Sequence, residues 1–221
     1  MLTKSEATWG LRYLLFQLAF LPSLAWQALS LLWPQAQSVH LNLLCWSINF
    51  CAVCWIFRKY LLESSKKFTE NILSSLGIVA AGFVIYQLLI IGLSALLVRL
   101  FPQFFNVNDA SIAVSAQQSF PLIAFGTVVL VPIVEEVFYR GLIFGLLPKR
   151  FLRYIVSIAI FCTIHVMGYI GYYQPLHLLI CFVQYIPAGL VLAACYDFSG
   201  SIFVPTAIHM AVNAIAISSM R

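Results

Sequence analysis

The sequence predicts an all-α fold: a polytopic transmembrane helical bundle of about seven spans with its N-terminus in the cytoplasm. The count becomes eight if a further half-helix lies around 99 to 117 or 142 to 150. Three observations predict this class. Hydrophobic residues fill 62% of the 221 positions and charged residues 9%, with a mean hydropathy of +0.97. A soluble domain of that length could not cover its surface with so few charges. The apolar residues also fall in runs near the length of about 20 residues that a helix needs to cross the hydrocarbon core. Finally, the basic residues gather in alternate connections, as cytoplasmic loops do. The net charge of +5 is spread over these short clusters. It forms no phosphate-tracking stripe, so no nucleic-acid partner is expected.

Seven segments qualify as spans: about 9 to 33, 39 to 57, 72 to 98, 118 to 147, 152 to 167, 176 to 196 and 202 to 219. The first contains Pro22; it is too long for a signal peptide and lacks a convincing cleavage site, so it is kept as a span. The fourth is long enough to tilt, kink at Pro132 or break near its end. The fifth is short. With the N-terminus inside, the cytoplasmic segments hold nine basic residues: Lys4, Arg12, Arg58, Lys59, Lys66, Lys67, Lys149, Arg150 and Arg153. The outer segments hold two, Arg99 and Arg221. No internal repeat is visible, and residues 1 to 221 read as one integral membrane domain of the plasma (cell) membrane. All six cysteines lie in or beside apolar runs, which is the pattern of small buried hydrophobes and not of a disulfide framework. The CAVC at 51 to 54 has no second pair to complete a zinc site.

The segment VPIVEEVFYRGL interrupts this economy of charge. Glu135, Glu136 and Arg140 are the only charges well inside a span, and a charge at the bilayer centre costs about 2.5–3.5 kcal/mol even on lenient scales. Glu136 and Arg140, at i and i+4, can pair on one helix face. Glu135 lies about 100° around the helix and stays available. A purely structural ion pair is the plainer alternative, but an apolar replacement would normally pack the helix at less cost. Two late spans add His165 in FCTIHV, and His209 with Asn213 in HMAVN. Counted from their cytoplasmic ends at 1.5 Å per residue, Glu135 and His165 sit roughly 18–20 Å deep, and His209 and Asn213 about 11–17 Å.

A carboxylate and an imidazole at one depth can orient and deprotonate a water. A second imidazole with an amide can supply donors to an oxyanion, which suits peptide-bond hydrolysis. The same Glu and His side chains could instead hold a divalent metal with an open position for water.

In this order, Glu135-Glu136-Val-Phe-Tyr-Arg140, Phe161-Cys-Thr-Ile-His165 and His209-Met-Ala-Val-Asn213 resemble the EExxxR, FxxxH and HxxxN motifs of the CPBP family of intramembrane proteases, also called the CAAX protease and bacteriocin-processing, or Abi, family. The resemblance covers residues 118 to 219, which would form the catalytic core; the first three spans match only by hydrophobicity. It implies an endopeptidase in which Glu135 and His165 activate water. Glu136 and Arg140 would support that pair, Phe161 would pack the site, and His209 with Asn213 would stabilise the oxyanion or hold the water. The family is called metalloprotease by habit, so the resemblance leaves open a divalent metal, zinc included, on Glu135, His165 and His209. The sequence lacks HExxH, and the reading leans towards water activation without a tightly bound metal. The implied substrate is a membrane-embedded or lipidated peptide or protein, met in the lipid bilayer. Serine, aspartyl and HExxH zinc types find no matching residues, Asp109 and Asp197 being expected in loops. A proton-coupled transporter and a catalytically silent immunity or scaffold protein are the rival classes.

Overall fold

The computed structural model describes residues 2–20, 31–33 and 38–220. Their regular structure is helical: α1 (Lys4–Phe20), α2 (Ser38–Ile56), α3 (Arg58–Glu70), α4 (Ile72–Leu100), α5 (Val107–Gln118), α6 (Phe120–Leu146), α7 (Arg150–Met167), α8 (Pro175–Ser199) and α9 (Phe203–Ser219). Among these, α2, α4, α6, α7 and α8 are long and apolar enough to cross a bilayer, and α9 is a slightly shorter apolar helix. The polytopic helical membrane bundle is therefore the architecture of this chain. The expected first span, 9 to 33, lies partly outside the described residues.

Two connections differ from the expectation. Residues 58 to 70, read as a basic loop, form the amphipathic α3, with Tyr60 and Ser64 turned inward and Arg58, Lys59 and Lys66 outward. The stretch around Asp109, expected as a loop with a half-helix around 99 to 117 as the alternative, is the helix α5, capped by the Asn106 side chain on the N–H groups of Asn108 and Asp109. Asp197 likewise lies in the last turns of α8 and not in a loop. Both mismatches have one cause. A polar helix that packs by one narrow face carries too weak an apolar period to separate it from a loop.

The basic connections meet at one end of the bundle. Thr3 and Glu6 form a capping box that starts α1: the Glu6 N–H donates to Thr3 Oγ1 at 3.2 Å and the Thr3 N–H to Glu6 Oε2 at 3.0 Å. The other Glu6 oxygen accepts the Tyr60 N–H of α3 at 2.8 Å. Burial pushes the Glu6 carboxyl up, but the bonds from Thr3 and Tyr60 outweigh it and hold it below its ordinary value. Ser64 of α3 accepts the Ile202 N–H at 2.7 Å, and Arg150 pairs with Asp197 at 2.7 Å. Leu2, Tyr60, Lys67, Gly145, Arg153 and Tyr196 thus border one polar hollow of about 340 Å³. The segments assigned to the cytoplasm by charge come together, as that assignment requires.

The core forms where α6 is enclosed by its neighbours. Val137, Phe138 and Leu142 of α6 are buried with Leu14, Val53, Phe57 and Phe161. Close approaches depend on glycine: a Cβ on Gly82 of α4 would lie 2.5 Å from Cys195 Sγ and 2.7 Å from Ile208 Cδ1. Cys162, Cys181 and Cys195 are buried as small hydrophobes, whereas Cys51 is exposed on α2, and all six thiols are free.

Candidate active site

The site is built on α6, whose backbone is irregular. Two π-helical stretches, Gly126–Leu130 and Val137–Leu142, flank a short α-helical segment, Val131–Glu136, that ends in the two glutamates. Such bulges shift the face that a helix presents and occur frequently at functional sites. The first has a local cause. Pro132 has no N–H to give, and the Val131 N–H reaches back to the Gly126 carbonyl. The Thr127 carbonyl is left over and accepts instead from Asn213 Nδ2 of α9 at 2.9 Å. Gly126 also lets Trp46 of α2 lie against the bulge, since a Cβ there would sit 2.1 Å from its ring.

Glu136 and Arg140 are wholly buried and joined at 2.9 Å. Arg140 also donates to the Gly189 carbonyl of α8 at 3.2 Å, and its guanidinium lies 4.8 Å from the Phe161 ring centre. The buried cation is thereby met by an anion, a carbonyl and a π face. The same Glu136 oxygen accepts from His209 Nδ1 at 2.9 Å. On α7, His165 Nδ1 donates to the Phe161 carbonyl at 2.8 Å. Phe161 lies against His165 and His209, and the Tyr185 ring centre lies 4.4 Å from that of His165.

Both imidazoles are fixed by their Nδ1 bonds, because a backbone carbonyl and an ion-paired carboxylate can only accept. In their neutral forms each therefore turns an Nε2 lone pair outward. The two Nε2 atoms face one atom, Glu135 Oε2, each at 3.9 Å. That oxygen is buried and has no hydrogen-bond partner among the described residues. Two lone pairs opposite a carboxylate oxygen repel unless a proton or a donor stands between them. Among the described residues, no three His, Cys, Asp or Glu side chains are arranged to hold an ion. The set Glu135, His165 and His209 converges at spacings that suit a hydrogen-bonded guest.

Glu135, His165, His209 and Asn213 all line a cavity of about 360 Å³. Glu136, Arg140 and Phe161 form the wall behind it, of which only Phe161 reaches the surface of the hollow. Asn213 differs from its expected position in one respect: its amide donates to Thr127, so it braces α6 as well as bordering the cavity. The sequence reasoning missed Trp46, Tyr86, Asn106, Asp109 and Tyr185, which complete the cavity wall. Asn106 carries a signal that could have been found, a helix-capping Asn ahead of Val107. The others carry none. Asp109 is exposed on α5 where it borders the cavity; the protein around it still raises its carboxyl, and the nearby His165 pulls it back down.

Residues 117–215 match the family described as Rce1-like, type II CAAX prenyl endopeptidase Rce1-like. That segment, under half of the chain, is similar to the Rce1-like family. The match indicates an intramembrane protease and agrees with the resemblance carried by the three motifs. The match contains every residue from Glu135 to Asn213 and leaves α1 to α4 outside it. No curated protein and no solved structure gives a significant match.

Proposed function

We propose that this Rce1-like protease hydrolyses a peptide bond of a membrane-associated or lipidated substrate in the plasma membrane, with water activated between Glu135 and His165. One observation carries the reading: two imidazole Nε2 atoms converge on an unpartnered Glu135 oxygen at 3.9 Å. That gap is too long for a direct hydrogen bond. A water about 2.8 Å from both Glu135 Oε2 and an Nε2 atom would subtend about 90°, close to its own bond angle.

Held in that way, the water donates hydrogen bonds to Glu135 and His165 and turns a lone pair towards a substrate carbonyl. As its oxygen bonds to the carbonyl carbon, Glu135 takes one proton. The charge that develops on the carbonyl oxygen is met by His209 in its protonated form, whose Nδ1–H rests on Glu136 as the imidazole of a Ser-His-Asp triad rests on its acid. Arg140 fixes that Glu136 and so acts at one remove. Collapse of the tetrahedral adduct breaks the C–N bond, and Glu135 returns the proton to the departing amine. The products are a carboxylate and an amine.

Membrane-peptide termini compared by mass spectrometry, in cells holding equal amounts of wild type or Glu135→Gln, test this reading. Termini found only with wild type are expected, with the cleavage rate lowered by about 10²–10⁴-fold in the variant. Identical profiles from a variant and a wild type that both accumulate, on a substrate the wild type cuts, would sink the role given to Glu135.

A further inference from the structure

We propose that Asp109 makes this cavity select a substrate segment bearing a positive charge beside the scissile bond. The inference deepens the proteolytic reading and rests on it. Among the described residues the cavity wall carries two carboxylates, Glu135 and Asp109, and no Lys or Arg. Glu135 faces the two imidazoles at the catalytic centre, and Asp109 stands apart from them as the second charge that a bound chain meets.

Its plainer use would be to close a capping box at the start of α5. Asp109 stands three residues after the Asn106 cap, where an acid can reach back to the cap's own N–H. It does not do so: Asn106 accepts from the Asp109 N–H, but no bond returns from the Asp109 carboxylate to Asn106. The carboxylate instead borders the cavity. The turn that presents it is held firmly. Asn106 donates to Gln184 at 2.7 Å and accepts from the Tyr185 hydroxyl at 3.0 Å, while the Phe105 carbonyl receives His177 at 2.9 Å. Tyr185 is also the ring that lies against His165. One rigid rim therefore positions both a catalytic imidazole and a substrate-facing anion.

The consequence for substrate is specific. A lysine or arginine near the cut, or a free amino group, finds a counter-charge at the cavity wall.

Binding separates this inference from the catalytic one. The probe is a fluorescent farnesylated peptide in three versions, with Lys, Gln or Glu beside a central apolar segment, added to Glu135→Gln protein in lipid nanodiscs. The Lys version is expected to bind about tenfold tighter than the Glu version. Adding Asp109→Asn should bring the two within about twofold of each other, and Asp109→Glu should keep the preference. An unchanged Lys-to-Glu ratio in Asp109→Asn overturns the proposal. So does loss of the preference in Asp109→Glu that melts like its parent, because shape and not charge would then be responsible. Cleavage of the same peptides by wild type is read alongside. Charge-selective binding without cleavage would remove the proteolytic reading and keep this one. Cleavage with charge-blind binding would do the reverse.

Discussion

At the scale of residues, the buried Glu136–Arg140 pair sets the terms for everything near it. Neither side chain touches solvent, and one Glu136 oxygen serves both Arg140 and His209. Removing one partner strands the other charge, which costs about 3–5 kcal/mol. Arg140→Met and Glu136→Gln should therefore each lower the melting temperature sharply in detergent. The double variant should recover much of that stability while staying inactive, because His209 loses its anchor. A double variant as unstable as the singles would mean that the pair is not the source of the cost. These residues were legible in the sequence for a physical reason: charge in an apolar run is expensive, so each instance demands a use. Trp46, Tyr86 and Asp109 were not legible. An aromatic residue in an apolar helix and an acid in a polar one cost nothing where they stand, and only packing brings them to the cavity wall.

At the scale of elements, α6 is the part whose behaviour departs most from its sequence pattern. The apolar run at 118 to 147 predicted one long helix with a kink or break. The observed helix carries two π-helical stretches instead. Periodicity does not reveal them, since a bulge moves one hydrogen bond and leaves the apolar composition unchanged. The Asn213–Thr127 bond offers a direct test of why the first one persists. Asn213→Ala leaves a carbonyl without its donor, a loss of about 1–3 kcal/mol. In a Pro132→Ala background an N–H becomes available one turn on, and the same substitution should cost measurably less. Melting temperatures of the four proteins in this cycle measure the coupling, and strict additivity would show that the amide does not stand in for the missing proline N–H. A bulky residue at Gly126 should also be destabilising, by about 1–3 kcal/mol, and Trp46→Ala should partly rescue it.

The whole molecule is organised by which end of the bundle each connection reaches. Lys67, Arg150 and Arg153 lie at the end where Leu2, Tyr60 and Gly200 also meet, whereas α5 and the 168–174 connection pack together through Asn108 and Tyr169. Charge bias alone had assigned these groups to opposite sides. A membrane-impermeant thiol reagent on intact cells should label Gln103→Cys and leave Lys66→Cys untouched until the membrane is opened, with Cys51 replaced by Ala in both. The opposite pattern would invert the topology. The bundle also joins two halves of different character. The family match begins at residue 117, yet Trp46, Tyr86 and Asp109 reach into the cavity from the half before it. The catalytic and selective roles proposed above thus fall on separate stretches of chain. A chimera of this chain and a second protease, joined near residue 117, should take its substrate from the front half and its rate law from the back.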